Sequence, residues 1–188
     1  MICGVFHKGS GFGNQLFRYI TAKTVALDNG YEFAMINPED FKGSDFMKLD
    51  MGDVYDSGGF LKFDEKKLVE NGVDVRGYDP EINFIKDNTV IDGEFQDERY
   101  WEHRLDEIRE WLKVKPLEML DNLCIINFRG GEYAMFPDLF LTEEYWQQAM
   151  EMMKIAHPNI EFVVHTDDVI TARKFFPSLP IHHDTGLN

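Results

Sequence analysis

Three short loops of this 188-residue chain carry residue types that bind phosphate, ribose or sugar hydroxyl groups. Residues 8–14 are rich in glycine, whose backbone N–H groups can approach an anion closely where a helix begins. Residues 129–133 begin with Arg129, and a guanidinium can clamp a diphosphate through two parallel hydrogen bonds. Residues 166–168 include Asp167 and Asp168, whose carboxylates can accept hydrogen bonds from ribose or a base.

Each loop also has a purely structural interpretation. The glycines could form a tight strand-to-helix connection, Arg129 could pair with Glu132, and the two aspartates could cap a helix. The glycines at 9, 11 and 13 do not match the dinucleotide fingerprint, because the third comes one residue too early, and the P-loop Gly-Lys-Ser/Thr is absent. No loop decides the function by itself.

Hydrophobic periodicity predicts that each of these loops follows a buried strand. We expect Asn14 to cap the first helix, Gly30 to end it, and Thr142 to cap a later one. Residues 37–90 are expected to be irregular packed structure with short helices. The predicted strands are 2–6, 31–36, 90–95, 123–128, 161–165 and 181–183. The predicted helices are 15–29, 97–113, 143–156 and a last one ending near 175.

This order of elements predicts an α/β protein made of two halves. Residues 1–36 form one parallel strand–helix–strand unit, and residues 123–183 repeat the pattern. We expect an N-terminal domain over 1–118 and a C-terminal, nucleotide-binding domain over 119–188. Ligands of open parallel sheets bind beyond the carboxyl ends of the strands, where all three loops are predicted to lie.

Composition excludes several classes of function. The formal net charge of −15 argues against nucleic acid and against anionic membrane surfaces as partners. We expect no membrane span, no signal peptide and no Cys/His zinc site. Cys3 and Cys124 lie in apolar runs and suit a reducing compartment, so a soluble, cytoplasmic protein is expected.

Four segments together resemble the α-1,2-fucosyltransferase family (glycosyltransferase family 11). Residues 9–19 resemble its Gly-Gly-Leu-Gly-Asn-Gln-Leu-Phe-Gln-Tyr motif, and residues 92–100 its Gly-Tyr-Phe-Gln-Ser-Glu-Lys-Tyr segment. Residues 126–133 are similar to its His-x-Arg-Arg-Gly-Asp-Tyr motif, and residues 162–168 to its Phe-x-x-Phe-Ser-Asp-Asp segment. The four follow the family's order and cover most of the chain.

The resemblance implies a GT-B-like architecture, with two Rossmann-like parallel-sheet halves facing a cleft and the second half incomplete. It implies transfer of fucose from GDP-fucose, with inversion, to a hydroxyl of a galactoside-type glycan, without a metal or a separate cofactor. The catalytic residues would be Arg129, Asn14 and Glu132, with Glu94 a second candidate base. The substrate-binding residues would be Gly11, Phe12, Gly13, Gln15, Thr166, Asp167 and Asp168.

The chain departs from the family pattern at several places. The family's His is Asn127, its second Arg is Gly130 and its Asp is Glu132. The family's C-terminal Asn-Ser-Ser-Phe-Ser-Trp-Trp-Gly segment is absent, so we expect a fragment, a reduced form, or a chain completed by association. A truncated or degenerate relative that binds nucleotide or glycan without turnover is the alternative, and an unrelated nucleotide-dependent α/β protein is a third. The sequence specifies neither the acceptor nor the oligomeric state.

Overall fold

The computed structural model describes residues 1–54, 59–66, 68–70, 73–75, 77–114 and 121–183, without the side chains of 68–70, 73–75 and 132. The chain divides into two compact units, unit 1 (Met1–Lys115) and unit 2 (Pro116–Asn188). The predicted domain boundary at 118/119 falls within 115–120, outside the described residues. Each unit contains a parallel sheet with helices, which confirms the predicted α/β class.

Unit 1 is built on a four-stranded parallel sheet in the order β2-β1-β6-β3. Strand β1 (Ile2–Val5) is central, and β2 (Phe33–Ile36) pairs with it over the strand's whole length. Strand β6 (Thr89–Asp92) lies on the other side of β1 and also pairs with β3 (Leu61–Asp64). The carboxyl ends of all four strands therefore lie along one edge of the sheet.

Helix α1 (Phe12–Asn29) connects β1 to β2 and packs on this sheet. Its apolar residues recur at helical spacing, and Gly30 ends it in a left-handed conformation, as predicted. Gly4 allows the close approach, because a Cβ there would lie 2.8 Å from Ala22 Cβ. The aromatic rings of Phe6, Tyr19 and Phe95 are fully buried in the resulting core.

The prediction of irregular structure over 37–90 was wrong in part. It missed β3 and an antiparallel hairpin formed by β4 (Leu68–Glu70) and β5 (Val73–Val75). Short 3₁₀ helices do occur, at Pro38–Asp40 and Pro80–Phe84. Strand β3 escaped prediction because most of its side chains are exposed, so it lacks an apolar run.

The predicted helix over 97–113 is broken into three pieces. Asp97 caps a helix, as predicted, but this helix is a short 3₁₀ helix (Glu98–Tyr100). A second 3₁₀ helix covers Glu102–Arg104. Helix α2 is short (Leu105–Trp111). The break occurs at Trp101, whose φ of −150° is not helical.

Unit 2 is a three-stranded parallel sheet in the order β7-β8-β9. Its strands are β7 (Leu123–Phe128), β8 (Glu161–Thr166) and β9 (Ile181–His183), close to the predicted bounds. Helices α3 (Glu143–Ala156) and α4 (Val169–Phe175) both cover the face that carries Phe128. That ring contacts four others, those of Phe140, Trp146, Phe175 and Phe176. On the opposite face Ile125 is 63% exposed.

Two further observations concern the described part of the chain only. None of its helices is both long and apolar enough to cross a bilayer. Its His, Cys, Asp and Glu residues form no group of three or more with the geometry to hold a metal ion.

Cys3 is buried, which raises the pKa of its thiol, whereas Cys124 is only partly buried.

Candidate functional site

All four motif segments lie at the carboxyl ends of parallel strands. In unit 1 the glycine loop follows β1 and residues 93–96 follow β6. In unit 2 Arg129 follows β7 directly, and Asp167 and Asp168 follow β8. The segments singled out by sequence therefore occupy the edges where parallel sheets bind ligands.

The glycine loop leads directly into the N-terminus of α1. The cap residue is Gly11, which supplies no side-chain hydrogen bond, and the first turn contains no acidic residue. A Cβ on Gly13 would meet no atom within 4 Å, so the backbone there faces open space. The first-turn N–H groups of this 18-residue helix are thus suited to an anion.

Asn14 does not cap α1, contrary to prediction. The helix begins at Phe12, two residues before Asn14, so Asn14 lies inside the first turn. Its side-chain oxygen instead accepts a hydrogen bond from Gln96 Nε2 at 2.8 Å. This contact joins the glycine loop to the segment after β6.

Gln15 is fully buried beneath the loop. Its Nε2 donates to the carbonyl of Asp40 at 2.7 Å, and its Oε1 accepts from the backbone N–H of Lys42 at 2.9 Å. Both ends of the Gln15 amide therefore hold residues 40–42 against the first turn of α1, which directly follows the glycine loop.

A charged cluster lies beside the glycine loop and includes residues that the sequence did not single out. Arg18 Nη1 donates to Asp92 Oδ1 at 2.9 Å, and its Nη2 lies 3.7 Å from Glu94 Oε1. His7 Nε2 lies 2.8 Å from the same oxygen of Asp92. Burial of Asp92 opposes its ionisation, but hydrogen bonds and charge from His7 and Arg18 outweigh this effect and lower its pKa.

Glu65 holds the turn that carries Glu94. Its Oε2 accepts hydrogen bonds from the backbone N–H groups of Glu94 at 2.7 Å and Phe95 at 3.0 Å. Its Oε1 accepts from the Tyr100 hydroxyl at 2.8 Å, and burial together with Glu65 raises the pKa of that phenol. Phe95 has a φ of +50°, which is unfavourable for a bulky residue, so this turn needs support.

The cluster borders a cavity of about 240 Å³ at the carboxyl ends of β3 and β6. The lining residues are Arg18, Asp64, Glu65, Lys66, Asp92, Gly93 and Glu94. Four carboxylates and two cations give this cavity a local formal charge of −2, which disfavours phosphate and suits hydroxyl donors.

In unit 2, Arg129 is held by Asp167. Arg129 Nε donates to Asp167 Oδ2 at 3.2 Å, and the other carboxylate oxygen accepts from the backbone N–H of Gly131 at 3.1 Å. The guanidinium also lies over the ring of Tyr133, 5.1 Å from its centroid. Its side chain remains 33% exposed, so a ligand can reach it.

Asp168 and Thr166 stabilise the start of α4. Asp168 Oδ1 accepts from the N–H groups of Ile170 at 2.9 Å and Thr171 at 3.1 Å, as a helix cap does. Hydrogen bonds from Thr171 are the main reason that its pKa is lowered. The Thr166 hydroxyl is buried and accepts from the N–H of Asp168 at 3.0 Å.

Gly130 lies against the aromatic cluster of unit 2. A Cβ there would lie 2.7 Å from Phe128 Cε1 and 3.2 Å from Thr171 Cβ. An arginine at this position would therefore require Phe128 to move, which accounts for glycine in physical terms. The side chain of Glu132, the predicted base, lies outside the described part of the chain.

Arg129 also borders a cavity of about 280 Å³ within unit 2. Its other lining residues are mainly aromatic or aliphatic: Asn127, Phe128, Tyr133, Leu139, Phe140, Leu141 and Trp146. An exposed cation beside an apolar, aromatic wall suits a ligand with an anionic group and a flat ring.

Sequence reasoning missed His7 and Arg18. A signal for Arg18 was present, because it falls three residues after Gln15 and four before Ala22, on the buried face of α1. A charge on a buried stripe requires a partner, and the predicted strand over 90–95 contains two acidic residues, Asp92 and Glu94. His7 carried no comparable signal.

Comparison with known proteins gives little beyond this geometry. No family model matches the chain, and no curated protein matches it. Among solved structures, the crystal structure of NodZ α-1,6-fucosyltransferase co-crystallised with GDP aligns with 97% of this chain and 77% of that one. The sequence identity is 13% and the TM-score 0.46, so we base no conclusion on this likeness.

Proposed function

We propose that this protein is a glycosyltransferase that transfers fucose from GDP-fucose to a hydroxyl of a galactoside-type glycan, with inversion and without a metal. The observation that carries the proposal is the location of the four fucosyltransferase-like segments. All of them lie at the carboxyl ends of parallel strands, two in each unit. In this proposal the units face a cleft in a GT-B arrangement, and the protein works in the cytoplasm.

Arg129 is the proposed diphosphate ligand. Departure of GDP builds negative charge on the β-phosphate, and preorganised donors must stabilise that charge. Asp167 fixes the guanidinium through Nε, and the side chain stays one-third exposed. Asp168 and Thr166 stabilise the start of the adjacent helix and so preserve the nucleotide-binding loop.

The glycine loop supplies a second group of donors in this proposal. Backbone N–H groups at Gly11, Phe12 and Gly13 lie at the uncapped N-terminus of α1, where the helix dipole favours an anion. Asn14 links the loop to Gln96, and Gln15 joins the first turn of α1 to residues 40–42. Glu132 and Glu94 are the carboxylates that the sequence offers as a base for the acceptor hydroxyl.

A relative that binds nucleotide without turnover is the second candidate. Two observations favour it: the positive charge of Arg129 is offset by Asp167, and Gly130 cannot become a second arginine without repacking Phe128. The two candidates differ in turnover, not in nucleotide binding.

Calorimetric titration with GDP tests the shared premise. We expect micromolar binding by the full chain, weakened about 10- to 150-fold by Arg129→Ala, since a hydrogen bond to a charged group contributes about 1.5–3 kcal/mol. Arg109→Ala is the matched control, because Arg109 is exposed and, among the described residues, pairs with Asp106 alone, across one helical turn.

The outcomes separate the candidates. Loss of binding in Arg129→Ala but not in Arg109→Ala supports the diphosphate site. Release of GDP from GDP-fucose in the presence of lactose then selects the transferase over the binding protein. A folded chain that binds no GDP contradicts both.

A further inference from the structure

We propose that His7 and Asp92 form the proton-accepting pair of the reaction, with His7 as the catalytic base that contacts the acceptor hydroxyl. The inference rests on the proposed glycosyl transfer and gives the role of base to His7 in place of Glu132 or Glu94. His7 lies two residues after the end of β1 and Asp92 ends β6, so two adjacent parallel strands bring them together at the carboxyl edge of unit 1.

The hydrogen bond between the two side chains fixes the histidine tautomer. His7 Nε2 lies 2.8 Å from Asp92 Oδ1, and an ionised carboxylate can only accept, so Nε2 carries the proton. The lone pair is then on Nδ1, for which the described residues provide no hydrogen-bond partner. The side chain is 44% exposed, so a substrate can approach the imidazole ring.

Arg18 provides independent support for a site here. Its side chain is only 8% exposed, and its Nε has no hydrogen-bond partner among the described residues. A buried guanidinium is costly unless a carboxylate matches it, and Asp92 does so at 2.9 Å. Arg18 thereby keeps Asp92 ionised and in place to orient His7.

The adjacent cavity of about 240 Å³ indicates the class of ligand. Its local charge of −2 repels phosphate, whereas its carboxylates can accept hydrogen bonds from the hydroxyl groups of a neutral sugar. The acceptor glycan, not the nucleotide, therefore suits this cavity, whose wall includes Asp92, the hydrogen-bond partner of His7.

The proton transfer balances as follows. The acceptor O–H bond breaks and its proton moves to His7 Nδ1, giving an imidazolium that Asp92 stabilises. The acceptor oxygen forms a bond to the anomeric carbon of fucose. The bond from that carbon to the β-phosphate oxygen breaks, and its electron pair leaves with GDP.

A second triad in unit 1 provides a matched control. His103 Nε2 lies 2.8 Å from Asp28 Oδ2, and Arg104 Nε donates to Asp28 Oδ1 at 2.7 Å. Asp28 is in the last turn of α1, which in a parallel strand–helix–strand unit lies at the amino edge of the sheet. The contacts are alike, but only His7 lies at the ligand-binding edge.

The test compares His7→Ala with His103→Ala in the full chain, using GDP-fucose as donor and lactose as acceptor. We expect His7→Ala to lower kcat at least 100-fold, within the usual range for loss of a general base. Its GDP affinity should stay within twofold of the parent, and added imidazole should restore turnover in proportion to its concentration. His103→Ala should keep the parent's kcat within twofold.

The outcomes are distinct for the two proposals. Parental turnover by His7→Ala, or a loss that imidazole does not restore, refutes the catalytic pair and leaves the transferase standing. Equal losses in both histidine variants also refute the pair. A parent that binds GDP but transfers no fucose to lactose refutes the pair and favours the nucleotide-binding candidate. A parent that binds no GDP removes the proposed function and this inference together.

Discussion

Removal of the Glu65 carboxylate should destabilise unit 1 by an amount that its hydrogen bonds define. Glu65 accepts two backbone N–H groups, at 2.7 and 3.0 Å, and the Tyr100 hydroxyl at 2.8 Å. Each is charge-assisted, and for a half-buried side chain the lower end of the usual range, about 1.5 kcal/mol, applies to each. Relaxation of Phe95 from its positive φ returns about 1 kcal/mol, so Glu65→Ala should cost about 3.5 kcal/mol.

Urea unfolding followed by tryptophan fluorescence measures this loss in one unit. Trp101 and Trp111 belong to unit 1 and Trp146 to unit 2, so a Trp146→Phe background restricts the signal to unit 1. With a slope of about 1.5 kcal/mol per molar urea, Glu65→Ala should lower the midpoint by about 2 M.

Two control variants make the result specific. Glu65→Gln keeps an oxygen for the two N–H groups and should cost only about 1 kcal/mol. Glu81→Ala removes an exposed ion pair with Lys66 and should cost less than about 0.5 kcal/mol. The reasoning fails if Glu65→Ala shifts the midpoint by less than about 0.5 M, or if Gln is as damaging as Ala.

Three further perturbations have outcomes set by single contacts. Gly52→Ala should cost unit 1 at least about 3 kcal/mol in urea, because φ is +62° and the new Cβ would lie 2.0 Å from the Phe33 carbonyl oxygen. Gly59→Ala should cost only about 1–2 kcal/mol, because its φ of +120° is strained but the new Cβ would meet open space. Phe128→Ala should destabilise unit 2 by about 4 kcal/mol, read from Trp146 fluorescence, whereas the same change at exposed Phe84 should leave unit 1 unaltered. The pKa of Asp168 is lower in the folded than in the unfolded chain, so the ionised carboxylate stabilises unit 2, and this stability is lost as pH falls through the folded-state pKa. Below about pH 4 the stability of Asp168→Asn should therefore depend less steeply on pH than that of the parent, and equal pH profiles would contradict this.

Local signals in the sequence were sufficient for most of the fold. The apolar runs at β1, β7 and β8, the left-handed Gly30 and the capping residue Thr142 all appear in the structure as predicted. Asp168 caps α4, as the structural interpretation of the aspartate pair allowed. These features depend on neighbouring residues, so periodicity and capping rules detect them.

Features that depend on distant residues were missed. Strand β3 is mostly exposed and is held by its pairing with β6, and the pairing of Arg18 with Asp92 joins residues 74 positions apart. Asn14 was misassigned because Gln96, which binds its side chain, lies 82 positions away. Sequence indicated the right edge of each sheet, but not which side chains meet there.

The central position of β1 constrains the order in which unit 1 can be assembled. Strand β1 is synthesised before both of its neighbours and can pair early with β2, but its other neighbour, β6, ends at Asp92. At about 5–20 residues per second, that partner emerges roughly 4–17 s after β1, so one edge of β1 stays open during translation. Contacts of such long sequence separation are slow to form, because loop closure must precede them. During that interval His7 and Arg18 are present without Asp92, and the charged cluster can form only when the sheet closes.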